Sequence, residues 1–172
     1  MILTGSFDKT AIIWSATNGS DLFYLKGHTS DVKTAQWSPD GSKIVTASRD
    51  RTSIIWSAAT GTALYTLTGH TGIVNSAQWS PDGSKIATVS SDSSMIIWSS
   101  STGKNLFTCK EHKGNITSVH WSPDGSKIAT SSYDSTAILW STVTGELVFS
   151  LRGHTGLLYN VQWSPDGSNV LT

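Results

Sequence analysis

The sequence predicts an all-β protein built from four copies of one four-stranded antiparallel unit, and three observations lead there. The string Trp-Ser-Pro-Asp-Gly-Ser begins at Trp37, Trp79, Trp121 and Trp163, a constant step of 42 residues. Self-similarity at such a period is the mark of a repeat architecture. All four prolines fall inside that string, so none interrupts the segments between, as paired strands require. The composition, with eight tryptophans, abundant Ser and Thr and only 14% charged residues, suits short strands and polar turns rather than helices.

Within one repeat the elements follow in order. Val32 to Trp37 alternates as a first strand and ends at the turn Ser38-Pro39-Asp40-Gly41, where proline pre-sets the first central position and glycine relieves the exit. Lys43 to Ser48 reads as a second strand running to an acidic turn at Asp50. Ser53 to Trp56 is a third, followed by the turn Ala58-Ala59-Thr60-Gly61, and Ala63 to Thr68 is a fourth, ending at Gly69-His70. Four short antiparallel strands per 42 residues describe one blade of a β-propeller. The chain reads as a single domain, 1–172, with repeats at 27–68, 69–110 and 111–152 and a fourth divided between 1–26 and 153–172. Ile44, Ile54, Trp56 and Leu64 are expected between sheets. Cys109, aligned with Leu67 and Leu151, is expected to fill a small core position.

Composition also sets expectations about function. Twelve basic residues balance twelve acidic ones, which removes the electrostatic footprint of a nucleic-acid binder or a polybasic membrane protein. One cysteine excludes an intramolecular disulfide framework. No apolar run approaches the roughly 18 residues that span a bilayer, and no signal peptide follows Met1. A cytoplasmic location is the expectation. The histidines lie on different repeats without the close spacing of zinc sites, so neither a metal nor another cofactor is expected. Asn18-Gly19-Ser20 and Asn115-Ile116-Thr117 match the glycosylation sequon, as chance produces in a chain this rich in Ser and Thr.

Each repeat carries Gly-His, then Ser-Pro-Asp-Gly, then Thr-x-x-x-Asp, then Trp six residues after the Asp. In these motifs the chain resembles the WD-repeat β-propeller family over essentially its whole length. Two departures stand out: the family's Trp-Asp dipeptide is Trp-Ser here, at Ser15, Ser57, Ser99 and Ser141, and the third Gly-His is Glu111-His112. The resemblance implies a buried hydrogen-bond chain from Trp through Ser/Thr and His to Asp. Its members are His28, Thr46, Asp50 and Trp56; His70, Thr88, Asp92 and Trp98; His112, Thr130, Asp134 and Trp140. A fourth set joins His154 from one end of the chain to Thr4, Asp8 and Trp14 at the other. His, Asp and Thr also invite a hydrolase reading, but a nucleophile needs an exposed cleft, a tuned base and an oxyanion hole. Four equivalent copies describe a structural device, and no enzyme activity is expected.

The resemblance further implies a rigid platform on which a peptide or protein docks at the top face. The positions that face it are the third and fifth residues after each His and the residue before each Asp. They are Asp31, Lys33 and Arg49; Ile73, Asn75 and Ser91; Asn115, Thr117 and Tyr133; Leu157 and Tyr159; with Phe7 from the closing blade. Tyr133, Leu157, Tyr159 and Phe7 are expected to form one aromatic patch of the kind that anchors hot spots. Asp31, Lys33 and Arg49 form a charged sector able to orient a ligand.

Four blades are fewer than the seven or eight that the resembling family usually closes, and an open arc exposes two apolar sheet faces. Ile2-Leu3-Thr4 aligns with Ile44-Val45-Thr46 and so does Val170-Leu171-Thr172, so both ends compete for one strand position. Leu157 to Trp163 is the innermost strand that the N-terminal blade lacks. The leading expectation is a homodimer, latched head to tail into an eight-bladed ring. The alternatives are a slice of a longer array, or an engineered or recently amplified self-assembling ring with no native ligand.

Overall fold

The computed structural model describes every residue, Met1–Thr172, and contains strands and turns without a helix. Its seventeen strands form five antiparallel sheets. The first holds β1 (Ile2–Gly5), β2 (Thr10–Trp14) and β3 (Asp21–Lys26). Three complete blades follow: β4 (Val32–Trp37) to β7 (Ala63–Thr68) through β5 (Lys43–Ser48) and β6 (Thr52–Ser57); β8 (Val74–Trp79) to β11 (Asn105–Cys109) through β9 (Lys85–Ser90) and β10 (Met95–Ser99); and β12 (Ile116–Trp121) to β15 (Leu147–Arg152) through β13 (Lys127–Ser132) and β14 (Thr136–Ser141). The last sheet is a pair, β16 (Gln162–Trp163) and β17 (Val170–Leu171). In every complete blade the strands pair in chain order.

The turns explain why the chain reverses where it does. In Ser38-Pro39-Asp40-Gly41 the Gly41 amide donates to the Ser38 carbonyl over 2.8 Å, and Gly41 lies at φ +72°, a region nearly free of penalty only for glycine. Asp40 ties the loop by accepting from the Ser38 and Ser42 hydroxyls. These two bonds, led by the one from Ser38, and a third from the Ser42 amide pull its carboxyl down to about 2.

The core lies between sheets, and alternation along β5, β9 and β13 builds it. One face of a blade carries residues such as Ile44, Ile54 and Trp56, which pack back on Ala11, Ile13 and Leu25 of the preceding sheet. The other face, Val45, Ala47, Ile55 and Leu67, packs forward on Ile86, Ile96 and Trp98. Ala87, Val89, Ile97 and Cys109 then meet Ile128, Ile138 and Trp140 in the same way. Each large side chain so buried stabilises by about 1.5–3 kcal/mol relative to exposure. The expected strand order and turns of the complete blades are those found. Leu64 is the exception: it is exposed, because the fourth strand is the outer edge and only one of its residues, Leu67 in β7, reaches the interior.

The ends differ from the middle. β1–β3 and β16–β17 are separate sheets that do not pair with each other. The first strand expected from Leu157 to Trp163 is reduced to Gln162–Trp163, because its only partner is the two-residue β17. The four repeats thus form an arc with two unfinished ends.

Candidate functional site

Each complete blade contains one polar chain running through its interior. In the β4–β7 blade Trp56 Nε1 donates to Thr46 Oγ1 at 2.9 Å, which meets His28 Nε2 at 2.7 Å, while His28 Nδ1 lies 2.8 Å from Asp50 Oδ2. The β8–β11 blade repeats it with Trp98, Thr88, His70 and Asp92 at 2.8, 2.8 and 3.0 Å. The β12–β15 blade does so with Trp140, Thr130, His112 and Asp134 at 2.8, 2.8 and 2.9 Å. The aspartates also accept the backbone amides of Thr29, Thr71 and Lys113, which pins the incoming loop to the second turn.

The proton arrangement follows from this geometry. The tryptophan only donates, so each threonine hydroxyl accepts from it and is free to donate to His Nε2. The carboxylate accepts from Nδ1–H. Every group is then satisfied with a neutral imidazole, as a buried network demands. Burial lowers the pKa of His28, His70 and His112, and the adjacent aspartates offset this only in part. Burial alone would raise the Asp92 and Asp134 carboxyls, but hydrogen bonds from Ser94 and Thr136, from the loop amides and from the histidines outweigh it and hold both at about 2.

These shifts give stability a definite pH dependence. A histidine whose pKa is depressed by folding takes up its proton first in the unfolded chain, so acid favours unfolding below the ordinary value near 6.5. The aspartates, also depressed, release their contribution only as pH falls below about 3.8 toward 2. The urea midpoint is expected to fall between about pH 7 and pH 5, and to fall again below pH 4. A midpoint constant from neutral pH to pH 5 would contradict the neutral buried imidazoles.

The fourth set is not assembled. His154 is exposed and places Nε2 2.7 Å from Thr172 Oγ1, while Trp14 Nε1 donates to Thr4 Oγ1 at 2.8 Å on the opposite end of the arc. Asp8 engages Thr10 through Oδ1, and no histidine reaches it. The expectation that His154 joins Thr4, Asp8 and Trp14 within the chain is therefore corrected. β17 lies beside the first-strand segment and supplies Thr172 in the place of Thr4.

The expected top face is partly free and partly consumed. At the turn from second to third strand, the amides of Arg49, Ser91 and Tyr133 donate to the carbonyls of Asp31, Ile73 and Asn115, each at 2.9 Å, so these positions do meet. Arg49 pairs with Asp31 at 3.4 Å, and Lys33 is exposed. Tyr133 and Tyr159 pack edge to face with ring centres 5.6 Å apart, beside the exposed Leu157. Phe7 is exposed but sits on the first sheet, at the other end of the arc, so the continuous patch with Phe7 is not formed. Asn75 and Thr117 are taken by inter-blade bonds, Asn75 Nδ2 to Asn115 Oδ1 and the Ile116 carbonyl, and Thr117 Oγ1 to the Leu158 carbonyl. Both side chains therefore have a structural role as well, because side chains near the axis of the arc reach the next blade.

Two sets of residues were missed in the sequence. The first-strand tryptophans bond between blades: Trp79, Trp121 and Trp163 donate to the carbonyls of Gln36, Gln78 and His120 at 3.4, 3.2 and 3.2 Å. Phe23, Tyr65 and Phe107 lie against Gly61, Gly103 and Gly145 of the following blade, where an added Cβ would come within 2.7–2.9 Å of the ring-bearing Cβ. Their signal was an aromatic residue 38 positions before a glycine, three times over.

No three or more His, Cys, Asp or Glu side chains converge as metal ligands would. The one thiol, Cys109, is buried, donates to the Gly145 carbonyl and has its pKa pushed up by burial to about 12, the opposite of a nucleophile's environment.

Four-stranded antiparallel blades in series, each locked by a Trp-Thr-His-Asp chain, define a propeller-type repeat protein. The chain belongs to the WD40 family: WD domain, G-beta repeat matches at residues 19–57, 61–99, 103–141 and 145–172. It is also similar to Ribosome assembly protein 4 of Chaetomium thermophilum, 52% identical over 40 residues, which is 23% of this chain and 8% of that protein. WD40 repeats generally mediate protein–protein interaction and are generally non-enzymatic scaffolds.

Proposed function

We propose that this chain is an interaction scaffold that binds an extended peptide segment of a protein partner on the face carrying Tyr133 and Tyr159. The observation that supports this reading is the edge-to-face tyrosine pair, formed between the turn after β13 and the segment leading into β16, with the two side chains exposed by 38% and 68%. Aromatic side chains with a polar tip are typical anchors of binding hot spots, and the bond from the Leu158 amide to the Ser132 carbonyl ties the two segments that carry them together before any ligand binds. The Asp31–Arg49 pair and Lys33, on the same face two blades away, would set the direction of a charged peptide.

Selection of a displayed library of random linear peptides against the folded chain tests the reading. Selected peptides are expected to lose at least about 30-fold in affinity on Tyr133→Ala with Tyr159→Ala, the loss of a hot spot worth about 2 kcal/mol. Both rings are exposed, so the fold should persist by circular dichroism. Failure to enrich any peptide, or enriched peptides that bind the double variant unchanged, would overturn it. The competing reading, a self-assembling ring without a native ligand, draws on the four identical Ser-Pro-Asp-Gly-Ser turns and predicts that no peptide is selected.

A further inference from the structure

We infer that two copies of this chain join head to tail, each completing the other's unfinished blade. The argument rests on relations that recur at every internal blade junction and are left half-made at the two ends. Trp79, Trp121 and Trp163 each donate to the carbonyl 43 residues earlier. Trp37, the first tryptophan of the set, is half-buried and stands outside this series, which begins at Trp79, and the carbonyl next in that series is Gln162, at the other end of the arc. Phe23, Tyr65 and Phe107 each fill the space over a following glycine. Phe149, the fourth, is 59% exposed, while Gly19, the glycine next in that series, has nothing within 4 Å.

The polar chain shows the same division. Asp50, Asp92 and Asp134 each present Oδ2 to a histidine and a loop amide, whereas Asp8 has Oδ2 unengaged. His154 at the far end lacks a carboxylate. The apolar faces match as well: Ile12 and Trp14 are half-buried where their equivalents Ile54 and Trp56 are buried. One end therefore offers an aspartate, a glycine gap and a tryptophan donor, and the other offers the histidine, ring and carbonyl that fit them, all in one register.

A second copy satisfies these relations, and the chain's own end does not. The inter-blade contacts are the same at each junction, so the angle between blades is set by packing. At that angle four repeats leave β1–β3 and β16–β17 unpaired. Two arcs related by a twofold axis make both junctions at once and leave no open edge. The join requires an exchange of strands. β17, held by a two-residue ladder with Leu171 exposed, gives up its place beside β16 to β1 of the second copy, and His154 turns from Thr172 to Thr4 and Asp8 of that copy. Phe7 of the second copy then comes beside Leu157, which extends the tyrosine surface across the join.

Absolute mass by light scattering, from micromolar to near-millimolar chain, tests this. The expected value is twice the 18.4 kDa chain mass. Phe149→Glu and Asp8→Ala, both at exposed side chains, should each return the monomer mass with an unchanged circular dichroism spectrum. Neither residue belongs to the Tyr133–Tyr159 surface within one chain, so failure here leaves the peptide reading to its own test. A monomer at every concentration would overturn the inference. So would a dimer indifferent to both substitutions, which would place the contact elsewhere, or masses that keep growing with concentration, which would mean open-ended addition in place of a closed pair.

Discussion

Thr88→Val lowers the unfolding free energy of this protein by about 2–6 kcal/mol, a large effect for the removal of one hydroxyl. The substitution keeps shape and takes away only the oxygen. Trp98 Nε1 then loses its acceptor and His70 Nε2 its donor, at 2.8 Å in both cases, and both side chains are buried. An orphaned buried polar group costs about 1–3 kcal/mol, and here there are two. Thr4→Val provides the control. Trp14 is only half-buried and no histidine reaches Thr4, so water can replace the lost partner and the loss should stay near 0.5 kcal/mol. Urea titrations of the two substitutions, each made in the monomeric Phe149→Glu chain, give the comparison. Equal losses would mean that the network contributes no more inside the arc than at its edge.

Gly103→Ala is expected to cost about 2–5 kcal/mol, from two separable sources. Gly103 lies at φ +67°, and an L-residue there loses about 1–2 kcal/mol. The new methyl would also lie 2.9 Å from the Cβ of Tyr65, too near the backbone for the ring to swing clear. Overpacking of that kind adds about 1–3 kcal/mol and strains the bond from the Tyr65 hydroxyl to the Ser101 carbonyl, now 2.7 Å. Gly83→Ala separates the two. It has φ +71°, but its nearest neighbour is Pro39 Cδ at 3.6 Å, so only the backbone penalty applies. A Gly103→Ala variant no less stable than Gly83→Ala would show that the aromatic contact does not join the blades.

Much of this was legible because it is local or periodic. The turn Ser38-Pro39-Asp40-Gly41 is written in residues that fix their own φ angles, and the strand from Val32 to Trp37 in alternation that needs no partner to be recognised. The His-Thr-Asp-Trp sets were legible through resemblance and fixed spacing, and the three internal sets are assembled as expected. What escaped was decided between blades. Asn75 and Thr117 occupy positions that look free within one repeat, and only the next blade reveals their inter-blade bonds. The role of Trp79, and the fit of Tyr65 over Gly103, likewise exist only across a junction.

The sequence by itself determined the repeat, the strands, the turns and the internal polar chains, because each depends on side chains within one 42-residue unit. Only the tertiary structure decided which end groups find partners. His154 lies on Thr172 and not on Asp8, Phe7 is parted from Tyr159, and Leu64 faces solvent. The physical reason is that the angle between neighbouring sheets is set by how Trp, Ile and Val side chains interlock from one blade to the next. That angle carries four units around an arc without bringing its ends together.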